Sequence, residues 1–397
     1  MVTKAGLHAV LSTEALAKAG HPERSASPDV ALLTSVASAE DVAEGGRISI
    51  GEHQKAISKR LPHSTATTIH HPVTLPSGDI SEMKLALVLR PIDEQHLLLA
   101  RQIGVTDIVT VPPDTVPGTA WDYDAILRHK TRIENAGLTW SVVESVPITD
   151  RIKLDLPGRD EDIEAYCQTI RNLGAAGIPI MCYNWMAVFN WMRTSTTTRT
   201  RGDAFVTSYD HALMENAPLT EHGKISEKLL WETFEYFLER IIPVAEEAGV
   251  KQALHPDDPP LSPVRGISRI ITNVDAFQRV VDFIPSDFSG ITYCQGNFAA
   301  MGTDVAAGIR RFADKIHFAH FRDVKGTVPV FEEAFHDDGD TDMAETIRAY
   351  KEIGFDGPCR PDHVPTLAIE ENDNPGYTTL GRLYAIGYMK GLLDATD

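Results

Sequence analysis

From residue 84 onward the chain repeats one pattern eight times: a short apolar run, then a longer stretch with helical spacing. KLALVLR (84–90), TDIVTV (106–111), WSVVESV (140–146), IPIMCYN (178–184), KQALH (251–255), GITYC (290–294), KIHFAHF (315–321) and PCRPD (358–362) read as strands. After them come LLLARQIG (97–104), WDYDAILRHKTRIENAG (121–137), RDEDIEAYCQTIRNLGAAG (159–177), SEKLLWETFEYFLERIIPVAEEAG (226–249), NVDAFQRVVDFI (273–284), GTDVAAGIRRFA (302–313), TDMAETIRAYKEIG (341–354) and GYTTLGRLYAIGYMKGLL (376–393). Several of these close on glycine, a helix stop. Strict alternation implies a parallel sheet covered by helices. Eight units over ~310 residues fit a closed α/β barrel, the (β/α)8 TIM barrel, over residues 83–397. A doubly wound open sheet fits less well. It normally brings a glycine-rich phosphate turn after its first strand, and here that strand is followed by PIDEQH.

Residues 1–82 are different in kind. SASPDVALLTSVASAEDVAEGG and LPHSTATTIHHPVTLPSGD are rich in Ser, Ala, Pro, Thr and Gly and show weak periodicity. They read as an extension of low regular structure or a small cap. The adjacent His70 and His71 read as solvated loop residues. The first twenty residues lack the continuous apolar core of a signal peptide. No apolar run approaches the ~20 residues that span a bilayer. We expect a cytoplasmic, homo-oligomeric protein with no membrane partner. The formal net charge of −19 argues against nucleic acid as a partner. The same charge repels small anions at long range, so an anionic substrate needs a local arginine or metal. The four cysteines form no CxxC pair, which suggests neither a zinc ribbon nor a disulfide framework.

In such a barrel the active site lies at the C-terminal strand ends. Strands five to eight end at His255, at Cys294, in a strand carrying His317 and His320, and at Asp362 beside His363. Four successive strand ends supplying His, Cys, His and Asp make a plausible ligand set for a divalent transition metal. Thiolate and imidazole favour manganese, iron, cobalt or zinc over magnesium and calcium. Strand alternation puts His317 and His320 on opposite faces. We take His320, which shares its face with Arg322, as the ligand, and expect His317 to pack under the helices. Alternation also forbids Asp362 and His363 from both facing inward within a regular strand. They converge only where the strand has just ended. The segment HDDGDTD (336–342) follows strand seven and lacks a calcium-loop register. Its His336 and Asp340 could meet sugar hydroxyls. Equally, Asp340 or Thr341 could cap the next helix.

The stretches ESVPITDRIKLDLPGRDEDIEAYCQTIRNLGAAGIP, HPDDPP, GITYCQGNFA, IHFAHFRDVKG, FHDDGDTDM and RPDHVP resemble the mannonate dehydratase family of xylose-isomerase-like barrels. The resemblance runs from about 84 to 393. It implies that D-mannonate, a small sugar acid, loses water to give 2-keto-3-deoxy-D-gluconate in hexuronate catabolism. It also implies a divalent metal, usually Mn2+, with Fe2+ or Co2+ as substitutes. By motif the ligands fall on His255, Cys294, His320 and Asp362, and an acid–base pair falls on His363 and Tyr377. Arg322 could neutralise the substrate carboxylate, and Asn297 and Asn184 could meet its hydroxyls. Two stretches depart from the family pattern. The first strand, LALVLRP, lacks an R-W-Y-G type run, and NWMAVFNWMRT replaces a Phe-Met-Pro/Asp-Trp pattern.

Two other functions fit the residues less well. A sugar isomerase or epimerase on the same barrel would use more carboxylate ligands, and Cys294 speaks against it. A non-catalytic sugar-binding barrel would not need both His363 and Tyr377.

Overall fold

A computed structural model of the chain describes residues 83–396, so the expectations for residues 1–82 lie outside the described residues. The eight strands are β1 (Lys84–Val88), β2 (Asp107–Thr110), β3 (Thr139–Glu144), β4 (Ile180–Asn184), β5 (Lys251–His255), β6 (Ser289–Cys294), β7 (Ile316–Phe321) and β8 (Pro358–Pro361). Each pairs in parallel with its neighbours in sequence. The ring closes where β1 meets β8, through Lys84↔Pro358 and Leu85↔Cys359. Alternation along the strands sorts the side chains. Ala86, Val88, Val109, Val142, Ile180, Cys182, Ala253 and Phe318 fill the barrel interior. Their neighbours Ile108, Val143, Met181, Leu254, Ile291 and Ala319 face the helices.

The main covering helices are α1 (Glu94–Gln102), α2 (Tyr123–Asn135), α3 (Arg159–Ala175), α4 (Glu227–Ala248), α5 (Val274–Phe283), α6 (Val305–Phe312), α7 (Met343–Glu352) and α8 (Thr379–Ala395). Six of them start on a short polar side chain that accepts from a backbone N–H three residues on: Asp93, Asp122, Ser226, Asn273, Asp304 and Asp342. Such caps satisfy donors that the helix itself leaves free. The cap of α7 is Asp342, not Asp340 or Thr341.

The polar excursion between β4 and α4 is more structured than its composition suggests. It contributes strands Ser195–Arg199 and Phe205–Asp210 to a four-stranded antiparallel sheet. The other two strands, Val324–Thr327 and Val330–Glu333, form a hairpin that follows β7. The two insertions join through Phe331↔Tyr209 and its neighbouring pairs. Tyr209, Phe331 and Val324 are buried together beneath this sheet. A bridge from Phe205 to Thr366 ties it to the segment just beyond β8. The sheet therefore sits at the C-terminal mouth of the barrel.

Helices α3 and α4 pack closely at Gly174, in the last turn of α3. In an isolated helix Gly→Ala gains ~1 kcal/mol. Here an added Cβ would run into the carbonyl oxygen of Ala248. Gly174→Ala is expected to lower stability by ~1–3 kcal/mol in urea unfolding. A gain instead would show that the two helix backbones do not meet at this point.

Candidate active site at the barrel mouth

His255, Cys294, His320 and Asp362 converge, and one ligand atom from each lies within 4.8 Å of all the others. His255 donates from Nδ1 to the carbonyl of Pro256 at 2.7 Å, which leaves the Nε2 lone pair free. Cys294 is fully buried, its Sγ 3.8 Å from Asp362 Oδ2. Glu144 Oε1 stands 3.0 Å from His320 Nε2, and Asp362 Oδ2 stands 3.4 Å from Nδ1. Neither contact is aligned as a hydrogen bond, so both ring nitrogens are buried without one. Burial and the Arg360 guanidinium oppose a charge on this imidazole. The Glu144 and Asp362 carboxylates outweigh them and hold its pKa up at about 9. The site thus draws positive charge to the spot where the four ligand atoms meet.

Asp362 and His363 reach the same space because β8 ends at Pro361 and His363 adopts a left-handed φ of 45°. That turn breaks the alternation that would point them apart. Gly376, itself at φ 86°, backs the ring, and a Cβ there would touch His363 Cδ2 at 3.4 Å. His363 Nδ1 lies 3.1 Å from Glu333 Oε1 and 3.1 Å from Arg193 Nη2. Its ring sits between Trp191, with centroids 5.1 Å apart, and Tyr377, at 5.4 Å and nearly perpendicular. The Tyr377 hydroxyl donates to Asp362 Oδ1 at 3.3 Å. Burial, then the Asp362 and Glu144 carboxylates, push its phenol well above its ordinary range.

A buried ionic lattice surrounds these groups. Arg360 is paired in bidentate fashion with Glu144 and donates to Asp362 Oδ1 at 2.8 Å. Arg193 grips both oxygens of Asp258 and reaches Glu333. Arg322 donates to both oxygens of Glu333, and its Nη1 reaches Asp258 Oδ2, Asn297 Oδ1 and Cys294 Sγ. With His320 neutral, as a metal ligand must be, three guanidiniums (Arg193, Arg322, Arg360) face four carboxylates (Glu144, Asp258, Glu333, Asp362), an excess of one negative charge. A ligating Cys294 would be a thiolate and add a second. A divalent cation balances that sum, and the His/Cys/His/Asp donor set suits a transition ion.

Not every expected residue is placed where its expected role needs it. Arg322 is fully buried and committed to protein partners at all three nitrogens, so it braces Cys294 and Glu333 and does not await a substrate carboxylate. Asn297 is likewise spent: its Nδ2 donates to Asp257 O and its Oδ1 accepts from Arg322. Asn184, at the end of β4, holds its own loop through Met186 N and Asn190. His336 is buried and donates from Nε2 to the carbonyl of Phe321. Asp340 is exposed and accepts from Gly326 N, bracing the hairpin. Glu144, Arg360, Arg193, Asp258 and Glu333 carry the lattice without having been singled out. Glu144 and Arg360 stand at strand ends and could have been found there. Glu333 shares a buried face with Phe331 in the second hairpin strand, and no local pattern in the sequence marks that carboxylate as buried.

The family model described as D-mannonate dehydratase (UxuA) matches residues 83–224 and 216–397. The mannonate dehydratase of Thermotoga maritima is 37% identical over 355 residues, covering 79% of this chain and 98% of that protein. Mannonate dehydratase 2 of Halalkalibacterium halodurans is 38% identical over 338 residues, covering 77% and 97%. The crystal structure of mannonate dehydratase from Streptococcus suis serotype 2 superposes with a TM-score of 0.74 at 35% identity, covering 79% of this chain and 93% of that one. A D-psicose 3-epimerase from Clostridium cellulolyticum H10 matches with a TM-score of 0.54 at 14% identity, a likeness of fold alone. Family model, relatives and superposition all span the barrel whose mouth gathers these residues, and the chain belongs to the D-mannonate dehydratase family.

Proposed function

We propose that this chain dehydrates D-mannonate to 2-keto-3-deoxy-D-gluconate with a divalent transition metal, Mn2+ foremost, held by His255, Cys294, His320 and Asp362. The observation that carries the proposal is the convergence of those four ligand atoms within 4.8 Å, with His363 and Tyr377 against Asp362. When bound, the metal would act as a Lewis acid, stabilising the negative charge that develops as the proton α to the carboxylate leaves. The chain's own residues supply the proton traffic. With Nδ1–H directed at Glu333, His363 presents the Nε2 lone pair and takes the proton from C2. Tyr377 keeps its phenolic proton at neutral pH and gives it to the C3 hydroxyl as the C–O bond breaks. One proton is taken and one is given, water departs, and the resulting enol tautomerises to the 2-keto acid. Glu333, itself held by Arg193, fixes the imidazole, and Arg360 fixes Asp362 and Glu144.

Chelator-treated protein is expected to lose activity and regain it with Mn2+, at about one ion per chain by mass spectrometry. Full-rate turnover by metal-free protein would sink the metal role. Cys294→Ala is expected to lower bound metal in the same measurement. His363→Asn and Tyr377→Phe should each reduce turnover by ~10²-fold or more with metal content unchanged. Near-normal turnover in either variant would remove that residue from the acid–base pair.

A further inference from the structure

A sugar acid is an anion, and this chain carries 19 more acidic than basic side chains. Its carboxylate needs a cation at the mouth that no protein carboxylate already holds. Arg193, Arg322 and Arg360 do not qualify. Each is buried and paired with two carboxylates. Two other arginines reach the same end of the barrel. Arg90 lies two residues past β1, is exposed, and donates from Nη2 to the carbonyl of Glu144, the last residue of β3. Arg382, half-buried in the first turn of α8, donates from Nη1 to the carbonyl of Val88 at 2.6 Å and from Nε to that of Thr378 at 3.2 Å.

These contacts place both side chains around Tyr377. Val88 ends β1 and belongs to the interior cluster on which the Tyr377 ring packs, and Thr378 follows Tyr377 in the chain. Arg90 is one of the cations acting on the Tyr377 phenol. Among the described residues neither guanidinium has a carboxylate in ion-pair contact. Their hydrogen-bond partners are carbonyl oxygens; Arg90 is in ion-pair contact with no carboxylate, and Arg382 feels the Glu370 carboxylate without pairing with it. A guanidinium offers five N–H donors in a planar fork that matches a carboxylate. Arg90 and Arg382 have spent one and two of theirs on protein.

We propose that Arg90 and Arg382 form the carboxylate clamp of the site, binding the C1 end of the sugar acid beside Tyr377. This inference rests on the dehydratase reading above. It also sets the direction of the substrate: C1 lies on the β1 and α8 side, and the hydroxyl tail runs away from it, toward Trp191 and the antiparallel sheet.

The test compares D-mannonate with its neutral amide, using wild type, Arg90→Gln, Arg382→Gln and the two Arg→Lys variants in the Mn2+-loaded full chain. Loss of a charge-assisted hydrogen bond should raise KM for D-mannonate about ten- to a hundredfold in each Gln variant. Turnover at saturation and metal content should hold, and the Lys variants should recover part of the loss. The preference for acid over amide should shrink by the same factor, which a merely structural role would not do. Unchanged KM and unchanged preference in both Gln variants would overturn the clamp. So would a fall in turnover alone, which would mean that the arginines act on Tyr377 instead. Wild type that dehydrates no aldonic acid would sink the functional reading itself.

Discussion

The mouth of this barrel is held by guanidinium–carboxylate pairing out of water. Charges taken out of water are costly unless paired, and losing one partner of a buried pair typically costs ~3–5 kcal/mol. Each member of the lattice therefore constrains the others. Asp258 and Glu333 both lie between Arg193 and Arg322, while Glu144 and Asp362 share Arg360. The first group braces His363 and Cys294 from one side. The second braces His320 and Asp362 from the other. The four ligand-type residues and His363 are thus positioned by groups packed behind them.

The same lattice limits the negative charge that an anionic substrate would meet at the mouth of an acidic protein. Its arginines cancel most of the local carboxylate charge, and the remaining deficit is localised at the ligand cluster. His320 registers that deficit, since Glu144 and Asp362 favour a positive charge on it against burial. A metal ion placed there answers the same demand. Small shifts of Arg322 would be felt directly at Cys294, because its Nη1 lies 3.5 Å from Sγ.

Much of this was legible in the sequence. Period-two and helical spacings marked all eight strand–helix units, and the strand ends carried the four ligand-type residues. The adjacency of Asp362 and His363 already demanded a broken strand, which the left-handed φ of His363 supplies. What stayed hidden depended on non-local pairing. Strands Phe205–Asp210 and Val330–Glu333 meet across more than a hundred residues, and a threonine-rich polar stretch gives no local sign of its partner. Arg322 misled for a similar reason. A cation at a strand end looks available until its partners, Glu333 at 11 residues and Asp258 at 64, are brought beside it.

The antiparallel sheet has one more consequence, in the order of assembly. His363 leans on Arg193, 170 residues earlier, and on Glu333, 30 residues earlier. Arg193 sits at the entry to one insertion and Glu333 closes the other. During synthesis Arg193 can meet Asp258 first, since only 65 residues separate them, and must then wait for Glu333 and finally His363. The His363 ring is therefore fully held only after both insertions and the last strand are in place. On the role proposed for His363, a barrel that has gathered most of its strands is still inert, so turnover is a late marker of a fully folded chain.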